Sequence, residues 1–205
     1  MLCLDPSRVA LSCLGRFAGQ NAAESRRTLL LSVGRGASLL LNLPPDRRGR
    51  IHENEVKALR QFGRIIGATV AKDLAQDAKV SASNIRGGRS DKRFRPQNVV
   101  DGKRDTYRAT ADEVRTPKLI VALGKEKTLN VVRLREYLPL GQREEAFGLD
   151  VWRMGQWVEF ATGTSLGNCL LVRGKPTTTS RLRLRITEAP VCAAMSEAGV
   201  FVEPE

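Results

Sequence analysis

The segment Arg181 to Thr187 (RLRLRIT) alternates strictly between a polar side chain and an aliphatic one. Successive side chains of a β-strand point to opposite faces of the sheet, so Leu182, Leu184 and Ile186 are predicted to face a core while the arginines face solvent. Further short alternating segments occur between residues 118 and 161, separated by Gly and Pro turns. This pattern predicts an antiparallel β-sandwich or jelly roll from about Val70 onward.

Residues 1–69 follow a different pattern, in which helical and strand-like segments alternate. Glu24–Val33 is compatible with a helix, and His52–Ile66 spaces its apolar residues at helical intervals. Between them, Ser38–Leu43 (SLLLNL) is an almost continuous apolar run that two prolines end, which is typical of a strand buried on both faces of a parallel sheet. Helix, strand and helix make one repeat of an α/β barrel or open sheet, and one repeat cannot close a barrel.

The formal net charge of +12 is compatible with nucleic acid, anionic lipid or acidic polysaccharide as a partner. The cations are spread along the chain, and the densest group is Arg86, Arg89, Lys92, Arg93 and Arg95. An aromatic content of 5% argues against a broad platform for stacking nucleic-acid bases. No apolar run approaches the length of a membrane span, so a membrane partner is not expected.

The four cysteines are Cys3, Cys13, Cys169 and Cys192, and no C-x-x-C spacing or nearby histidine accompanies them, which argues against a zinc site. Cys169 and Cys192 lie in strand-like surroundings, where they can pair or pack as small hydrophobes, and both alternatives stay open. Acidic, proline and arginine residues interrupt the apolar residues among the first 20, so no signal peptide is predicted there.

Two longer segments, Leu39–Gly49 (LLLNLPPDRRG) and Leu134–Phe147 (LREYLPLGQREEAF), resemble the C-terminal third of family 29 α-L-fucosidases. The resemblance extends from about Thr28 to Pro204. It implies the end of a (β/α)8 catalytic barrel over residues 1–69 and a galactose-binding-like β-sandwich over residues 70–205. In that family the barrel strands that carry the catalytic carboxylates precede this part, so the resemblance implies a C-terminal portion that lacks them.

The family removes terminal α-L-fucose from glycans, and a retaining glycosidase needs two carboxyl groups roughly 5 Å apart. The acids here resemble surface acids, and Glu144 and Glu145 are adjacent and cannot face one another. We therefore predict no catalytic residue, no required cofactor and no fucosidase activity in this chain alone. The resemblance implies a fucosylated glycan or other carbohydrate and the catalytic barrel region as partners. It also implies a secreted or periplasmic location.

A second resemblance concerns residues 98–110 (NVVDGKRDTYRAT), which are similar to a loop of discoidin-like, coagulation-factor type C domains. The resemblance implies that Asp101, Thr106 and Glu197 are candidate ligands of a structural calcium ion, a cation that prefers oxygen ligands. The alternative is a metal-free Asx turn. Arg108 stands where that family has a packing tryptophan, and we expect its charge to reach solvent or to pair with one of the nearest acids, Asp105 and Asp112.

Two more pairs of side chains are candidates for a function. Trp152 and Trp157 flank the Met154–Gly155 turn, where they offer a ridge for stacking sugars or, alternatively, cover the core of the sandwich. Glu136 and Arg143 lie in the fucosidase-like segment and are predicted to form an ion pair, either between domains or in solvent.

Two other functions stay open at this point. The first is a free-standing carbohydrate-binding module without a catalytic partner. The second is a basic protein that binds nucleic acid or anionic glycan through the cations between Arg86 and Arg95.

Overall fold

The computed structural model describes residues 22–204, so the signal-peptide prediction for residues 1–20 lies outside the described part, as do Cys3 and Cys13. The described residues form two compact units that meet in sequence at Ala71 and Lys72. None of the helices in this part combines the length and the apolar composition that a membrane-spanning helix needs. The assignment of residues 1–69 to a catalytic barrel stays a prediction.

The first unit contains the two predicted helices, α1 (Ala22–Leu31) and α2 (Glu53–Val70), with a short 3-10 turn at Val33–Arg35 after α1. Helix α2 begins after His52, whose Nδ1 accepts a hydrogen bond from the backbone N–H of Asn54 at 3.2 Å. This bond satisfies one of the N–H groups that a helix start leaves without a partner. Both helix predictions are confirmed.

The strand predicted at Ser38–Leu43 is wrong. The segment is irregular apart from a single bridge position at Asn42, and Leu40 is 67% exposed. A strand is buried on both faces only when neighbouring strands and covering helices enclose it. In the described part of the first unit no strand pairs with this segment, and its leucines are half-buried apart from the exposed Leu40.

The second unit is an antiparallel β-sandwich, which confirms the mainly β fold class. Its strands are β1 (Lys79–Ala82), β2 (Arg108–Ala109), β3 (Lys118–Glu136), β4 (Ala146–Arg153), β5 (Gln156–Thr164), β6 (Leu170–Glu188) and β7 (Ala194–Phe201). The pairing order is β2-β7-β3-β6-β4-β5, with β1 also paired to β3. Short 3-10 turns lie at Pro96–Val100 and Leu138–Leu140.

Strands β3 and β6 belong to both halves of the sandwich. Their pairing is interrupted by shifts of register between Ala122 and Lys127 and between Leu129 and Val131. Before these shifts, β3 pairs with β1, and after them it pairs with β7. The sheet thus bends along its two longest strands, as β-bulges allow, and encloses one apolar core.

The core contains the side chains that the alternating pattern predicts. Leu182, Leu184 and Ile186 are each at most 5% exposed, and Leu149 of β4 lies directly opposite Leu184. Each such side chain contributes about 1.5–3 kcal/mol when it is fully buried. The neighbouring side chains of β4 and β6 therefore point outward, and they form the surface described next.

Candidate carbohydrate-binding surface

A tight turn brings the two tryptophans together on the outer face of the sandwich. Met154 and Gly155 both have positive φ angles, 48° and 78°, which is the backbone of a two-residue hairpin turn that follows the twist of the strands. Trp152 of β4 is consequently the direct cross-strand neighbour of Trp157 of β5. Their ring centroids are 5.1 Å apart, and the ring planes make an angle of 70°.

Arginines of β6 flank this aromatic pair. The guanidinium carbon of Arg183 lies 4.6 Å from the ring centroid of Trp157, and that of Arg181 lies 5.7 Å from the centroid of Trp152. These are cation–π distances. Both tryptophans are half-buried and lie outside the apolar core. The alternative that the pair covers the core is therefore wrong, and stacking against sugars stays a prediction.

Asp150 anchors two of the arginines. Its side chain is nearly inaccessible, and Oδ2 accepts hydrogen bonds from the Nε groups of Arg183 and Arg185, each at 2.7 Å. Arg185 Nη2 donates to the second oxygen at 3.0 Å. Burial raises the pKa of Asp150, but the bonds from Arg185 and Arg183 outweigh it, so the pKa lies below its usual value.

Gly148 makes room for this arrangement. A Cβ atom at Gly148 would lie 2.5 Å from Nη2 of Arg185, so the guanidinium occupies the space that a side chain would fill. Glu159, the neighbour of Asp150 across β4 and β5, lies 3.5 Å from the same nitrogen with its side chain 60% exposed. The sequence predicts the outward arginines, but it did not lead us to Asp150 as their partner. The alternation of Asp150 with the buried Leu149 is a signal that could have identified it as outward-facing.

We call this surface the tryptophan–arginine face. It is formed by Asp150, Trp152, Trp157, Glu159, Arg181, Arg183 and Arg185. The face combines aromatic rings, guanidinium groups and one exposed carboxylate, which are groups that can pack against a sugar ring and hydrogen-bond to its substituents.

The three predicted calcium ligands make hydrogen bonds or ion pairs within the chain. Asp101 and Thr106 lie together, because the Thr106 hydroxyl donates to the Asp101 carboxylate at 2.8 Å and the backbone N–H of Lys103 donates to Oδ1 at 2.9 Å. This is the geometry of an Asx turn. Glu197 lies in β7 and forms ion pairs with Arg133 and Arg135. Among residues 22–204, no three acidic, histidine or cysteine side chains are grouped as metal ligands.

The prediction for Arg108 is wrong. Arg108 is 1% exposed, so its charge does not reach solvent, and it forms no ion pair with Asp105 or Asp112. Asp112 forms an ion pair with Arg86 instead. Burial lowers the pKa of Arg108 to about 10, and the carboxyl group of Glu144 raises it in part. Arg108 is the first residue of β2, and its side chain lies in the interior at the position where the resembled family has a packing tryptophan.

Glu136 and Glu144 are also buried, although Glu144 was predicted to be a surface acid. Glu136 accepts hydrogen bonds from the backbone N–H groups of Arg143, Glu144 and Gly167 at 2.6, 2.7 and 2.5 Å. The predicted Glu136–Arg143 ion pair is therefore wrong, because the Arg143 guanidinium contacts Leu140 and Cys192 instead. We call the side chains of Arg108, Glu136 and Glu144 the buried carboxyl cluster.

The proton balance of this cluster is unusual. Burial, followed by a hydrogen bond to Glu136, raises the pKa of Glu144 to about 9, so Glu144 is protonated at neutral pH. Two carboxyl groups in direct contact inside the protein leave no space for a glycosidic bond between them. They are therefore not a catalytic pair.

Three of the five cations between Arg86 and Arg95 have a partner within the chain. Arg86 pairs with Asp112, Arg93 pairs with Asp91 at 2.8 Å, and Arg95 donates to Asn98 at 3.0 Å. Cys169 and Cys192, whose pairing the sequence left open, are both free and buried.

Comparisons with known proteins find relatives of the chain among the α-L-fucosidases. No family model matches it. Alpha-L-fucosidase 1 of Arabidopsis thaliana is 32% identical over 175 residues, which cover 84% of this chain and 34% of that protein. Putative alpha-L-fucosidase 1 of Oryza sativa subsp. japonica is 30% identical over 172 residues, which cover 84% and 33%. The chain thus spans about a third of the length of these curated relatives.

Solved structures of family 29 fucosidases also match the chain. A structure of SpGH29 superposes with a TM-score of 0.84 at 30% identity and covers 91% of this chain and 40% of that one. The fucose complex of a Ruminococcus gnavus GH29 fucosidase gives 0.83 at 30% identity, with 91% and 37% covered. Chitosan-binding module 1 from the Paenibacillus sp. IK-5 chitosanase/glucanase shares the fold, with a TM-score of 0.53 at 22% identity, and covers 63% of this chain and 98% of the module.

The mainly β fold is therefore of the class that carbohydrate-binding modules use. The chain itself is homologous to family 29 α-L-fucosidases over most of its length and corresponds to a third to 40% of those proteins. This confirms the resemblance seen in the sequence.

Proposed function

We propose that this chain acts as the non-catalytic part of an α-L-fucosidase, where its sandwich binds carbohydrate and its first unit completes the catalytic barrel. The observation that carries the proposal is the match to GH29 fucosidases, which includes the sandwich as well as the first unit and covers 91% of the chain. The fold shared with a chitosan-binding module supports carbohydrate, fucosylated or not, as the partner of the sandwich.

The acids of the described residues support a non-catalytic function. Glu136 and Glu144 contact each other, but both are buried and one of them is held protonated. Asp150 is occupied by two arginines, and Glu159 is exposed beside them. Glu136 and Glu144 therefore leave no room for a substrate between them, and the ion pairs of Asp150 engage the carboxylate that a nucleophile would need free.

The test is a pair of measurements on the full chain. With a chromogenic α-L-fucoside, the purified chain should release no more chromophore than a buffer blank. Calorimetric titration with chitosan oligosaccharides and with fucosylated oligosaccharides should show binding of at least one of them. Turnover that disappears when an acid of this chain is replaced would overturn the non-catalytic part of the proposal. A complete lack of carbohydrate binding would overturn the binding part.

A structural calcium ion at Asp101, Thr106 and Glu197 remains a separate proposal. Glu197 already neutralises part of the charge of Arg133 and Arg135, so a cation would have to compete with two guanidinium groups. We expect titration with calcium chloride to show weak binding or none. Tight binding would mean that the two arginines release this carboxylate.

A further inference from the structure

We propose that the tryptophan–arginine face is a binding site for the acidic groups of an anionic polysaccharide. This inference deepens the proposed function, on which it rests, by naming the surface and the chemical class of the sugar. Glycan carboxylate and sulfate groups present the same chemistry to an arginine, namely a planar or tetrahedral set of acceptor oxygens.

The first argument is the charge that the face leaves uncompensated. Arg183 and Arg185 share the single buried carboxylate of Asp150, and Arg185 also lies near the exposed carboxylate of Glu159. Arg181 is exposed, and within residues 22–204 no acidic side chain forms an ion pair with it. Arg183 and Arg185 therefore share two carboxylates, and Arg181 is available to an acid from outside.

The second argument is that the positive charge continues across the sheet. In the half of the sandwich where β1, β3, β6, β4 and β5 are neighbours, Lys118 of β3 is the direct cross-strand neighbour of Arg185. Lys79 of β1 lies on the same outer side, since its neighbour Val80 is buried. Five strands about 4.8 Å apart span roughly 19 Å, which is long enough for several sugar units.

The third argument concerns the shape of the aromatic part. Each tryptophan has an arginine within 6 Å of its ring centroid, so the guanidinium and the ring are held side by side by the strands. A sugar that packs its C–H groups on the exposed indole surface thereby places its acidic substituent within reach of an arginine. The exposed carboxylate of Glu159 is then available as an acceptor for sugar hydroxyl groups.

These groups favour a polysaccharide over a nucleic acid. Stacking of successive bases needs aromatic faces that lie parallel to one another along the strand. Here the two rings meet edge to face, with their planes at 70°, so they do not offer parallel faces to neighbouring bases. The exposed Glu159 carboxylate would repel a continuous phosphate backbone, whereas a polysaccharide carries neutral hydroxyl groups between its acids.

The experiment measures binding of the full chain to polygalacturonate, which carries carboxylates, and to dextran sulfate, which carries sulfates. Neutral dextran and a single-stranded DNA 20-mer serve as reference ligands. We expect at least one acidic polysaccharide to bind more tightly than both references at 150 mM NaCl. The arm that binds identifies whether carboxylate or sulfate is preferred.

Matched variants then locate the site. Arg181→Gln should weaken binding about tenfold, because it removes the one guanidinium of the face without an acidic partner, and Trp157→Ala should also weaken it. Arg60→Gln makes the same change of charge at an exposed position of α2, outside the face, and should leave affinity within twofold. Thermal unfolding followed by circular dichroism verifies that each variant is folded, and Arg181→Gln is decisive if Trp157→Ala is not folded.

Several outcomes would overturn the inference. If Arg181→Gln and Arg60→Gln weaken binding equally, net charge alone is responsible. If DNA binds as tightly as the acidic polysaccharides, the face is not selective for sugars. If neutral chitosan or fucosylated oligosaccharides bind but acidic ones do not, this inference fails while the proposed function stands. If no carbohydrate binds at all, the binding part of the proposed function fails as well.

Discussion

Asp150 and Glu144 are both buried carboxyl groups near arginine side chains, yet their pKa values shift in opposite directions. Asp150 accepts three hydrogen bonds from the guanidinium groups of Arg183 and Arg185. Glu144 accepts one hydrogen bond from a backbone N–H, that of Ala194 at 2.9 Å, and meets a second carboxyl group, while Arg108 acts on it only through its charge.

The difference shows that proximity to an arginine does not decide the protonation of a buried acid. Direct donors do, because each hydrogen bond to the ionised form offsets part of the cost of burial. On the tryptophan–arginine face the arginines reach from the solvent side and bond the carboxylate. In the buried carboxyl cluster no guanidinium group among residues 22–204 donates to Glu144, and one guanidinium nitrogen of Arg108 has no hydrogen-bond partner, so burial dominates.

The largest effect should come from Glu136, on which the buried carboxyl cluster depends. Glu136→Ala leaves three backbone N–H groups in the interior without their acceptor, and each such group costs about 1–3 kcal/mol. We expect the free energy of unfolding to fall by about 4 kcal/mol in urea denaturation. Glu145→Ala, at the exposed neighbouring position, should change it by less than about 0.5 kcal/mol. A loss below about 1 kcal/mol for Glu136→Ala would mean that water replaces the carboxylate.

A titration of stability tests the protonation of Glu144. Its pKa is about 9 in the folded chain and near its ordinary value of 4.5 when unfolded, so the folded state binds more protons between these limits. The contribution of Glu144 is fully present below the lower value and is lost as pH rises through the upper one, by up to about 1.4 kcal/mol per pH unit.

Glu144→Gln is the control for this titration, because the amide keeps the shape but does not titrate. Between pH 6 and pH 8 the free energy of unfolding of the unmodified chain should fall by about 2–3 kcal/mol relative to the variant. Parallel curves for the two proteins would show that Glu144 is ionised at neutral pH and that the comparison with Asp150 does not hold.

The next effect concerns Asp150. Asp150→Asn removes the negative charge and one set of acceptor lone pairs from beneath Arg183 and Arg185, and we expect a loss of about 2 kcal/mol in urea denaturation. Glu159→Gln on the same face should cost less than about 0.5 kcal/mol, since its contact with Arg185 is 3.5 Å long and exposed. Equal losses would indicate that burial of the carboxylate adds nothing to these ion pairs.

The smallest expected effect tests the position of the Arg185 guanidinium without a change of charge. Gly148→Ala alters no charge, but its methyl group displaces the tip of Arg185 from Asp150, so a loss of about 1 kcal/mol is expected. Gly63→Ala in α2 is the reference, because no neighbour lies within 4 Å of the added atom and alanine favours a helix. If Gly148→Ala is as stable as the unmodified chain, Arg185 has a second position that preserves its contact.

Much of the sandwich could be predicted from local patterns. The alternation in Arg181–Thr187 identifies the inward side of β6, and Met154–Gly155 identifies the hairpin between β4 and β5. These features depend on neighbouring residues in the sequence, which is why they are readable. The helix that begins after His52 is readable for the same reason, since its N-terminal signal and its periodicity are local.

The errors concern residues whose surroundings come from distant parts of the chain. Glu144 is buried because Ala194 and Glu136 surround it, whereas the adjacent Glu145 stays exposed, and the sequence of the loop does not distinguish the two. Arg108 was expected to stay out of the interior because burial of a charge is unfavourable. In the structure it is buried, and the carboxyl group of Glu144, from another loop, offsets only part of the effect of burial on its pKa. The strand predicted at Ser38–Leu43 failed likewise, because a strand is defined by its neighbours.

The two long strands β3 and β6 also determine how the sandwich can form during folding. Lys118 of β3 pairs with Arg185, and Val131 pairs with Phe201, so neighbours in the sheet are about 70 residues apart along the chain. The chain loses the entropy of closing such loops before the stabilising contacts form. We therefore expect this unit to fold slowly, on the millisecond-to-second scale. Each long strand contributes to both halves of the sandwich, so neither half has all of its strands until the other has formed. The unit should therefore assemble in one concerted step.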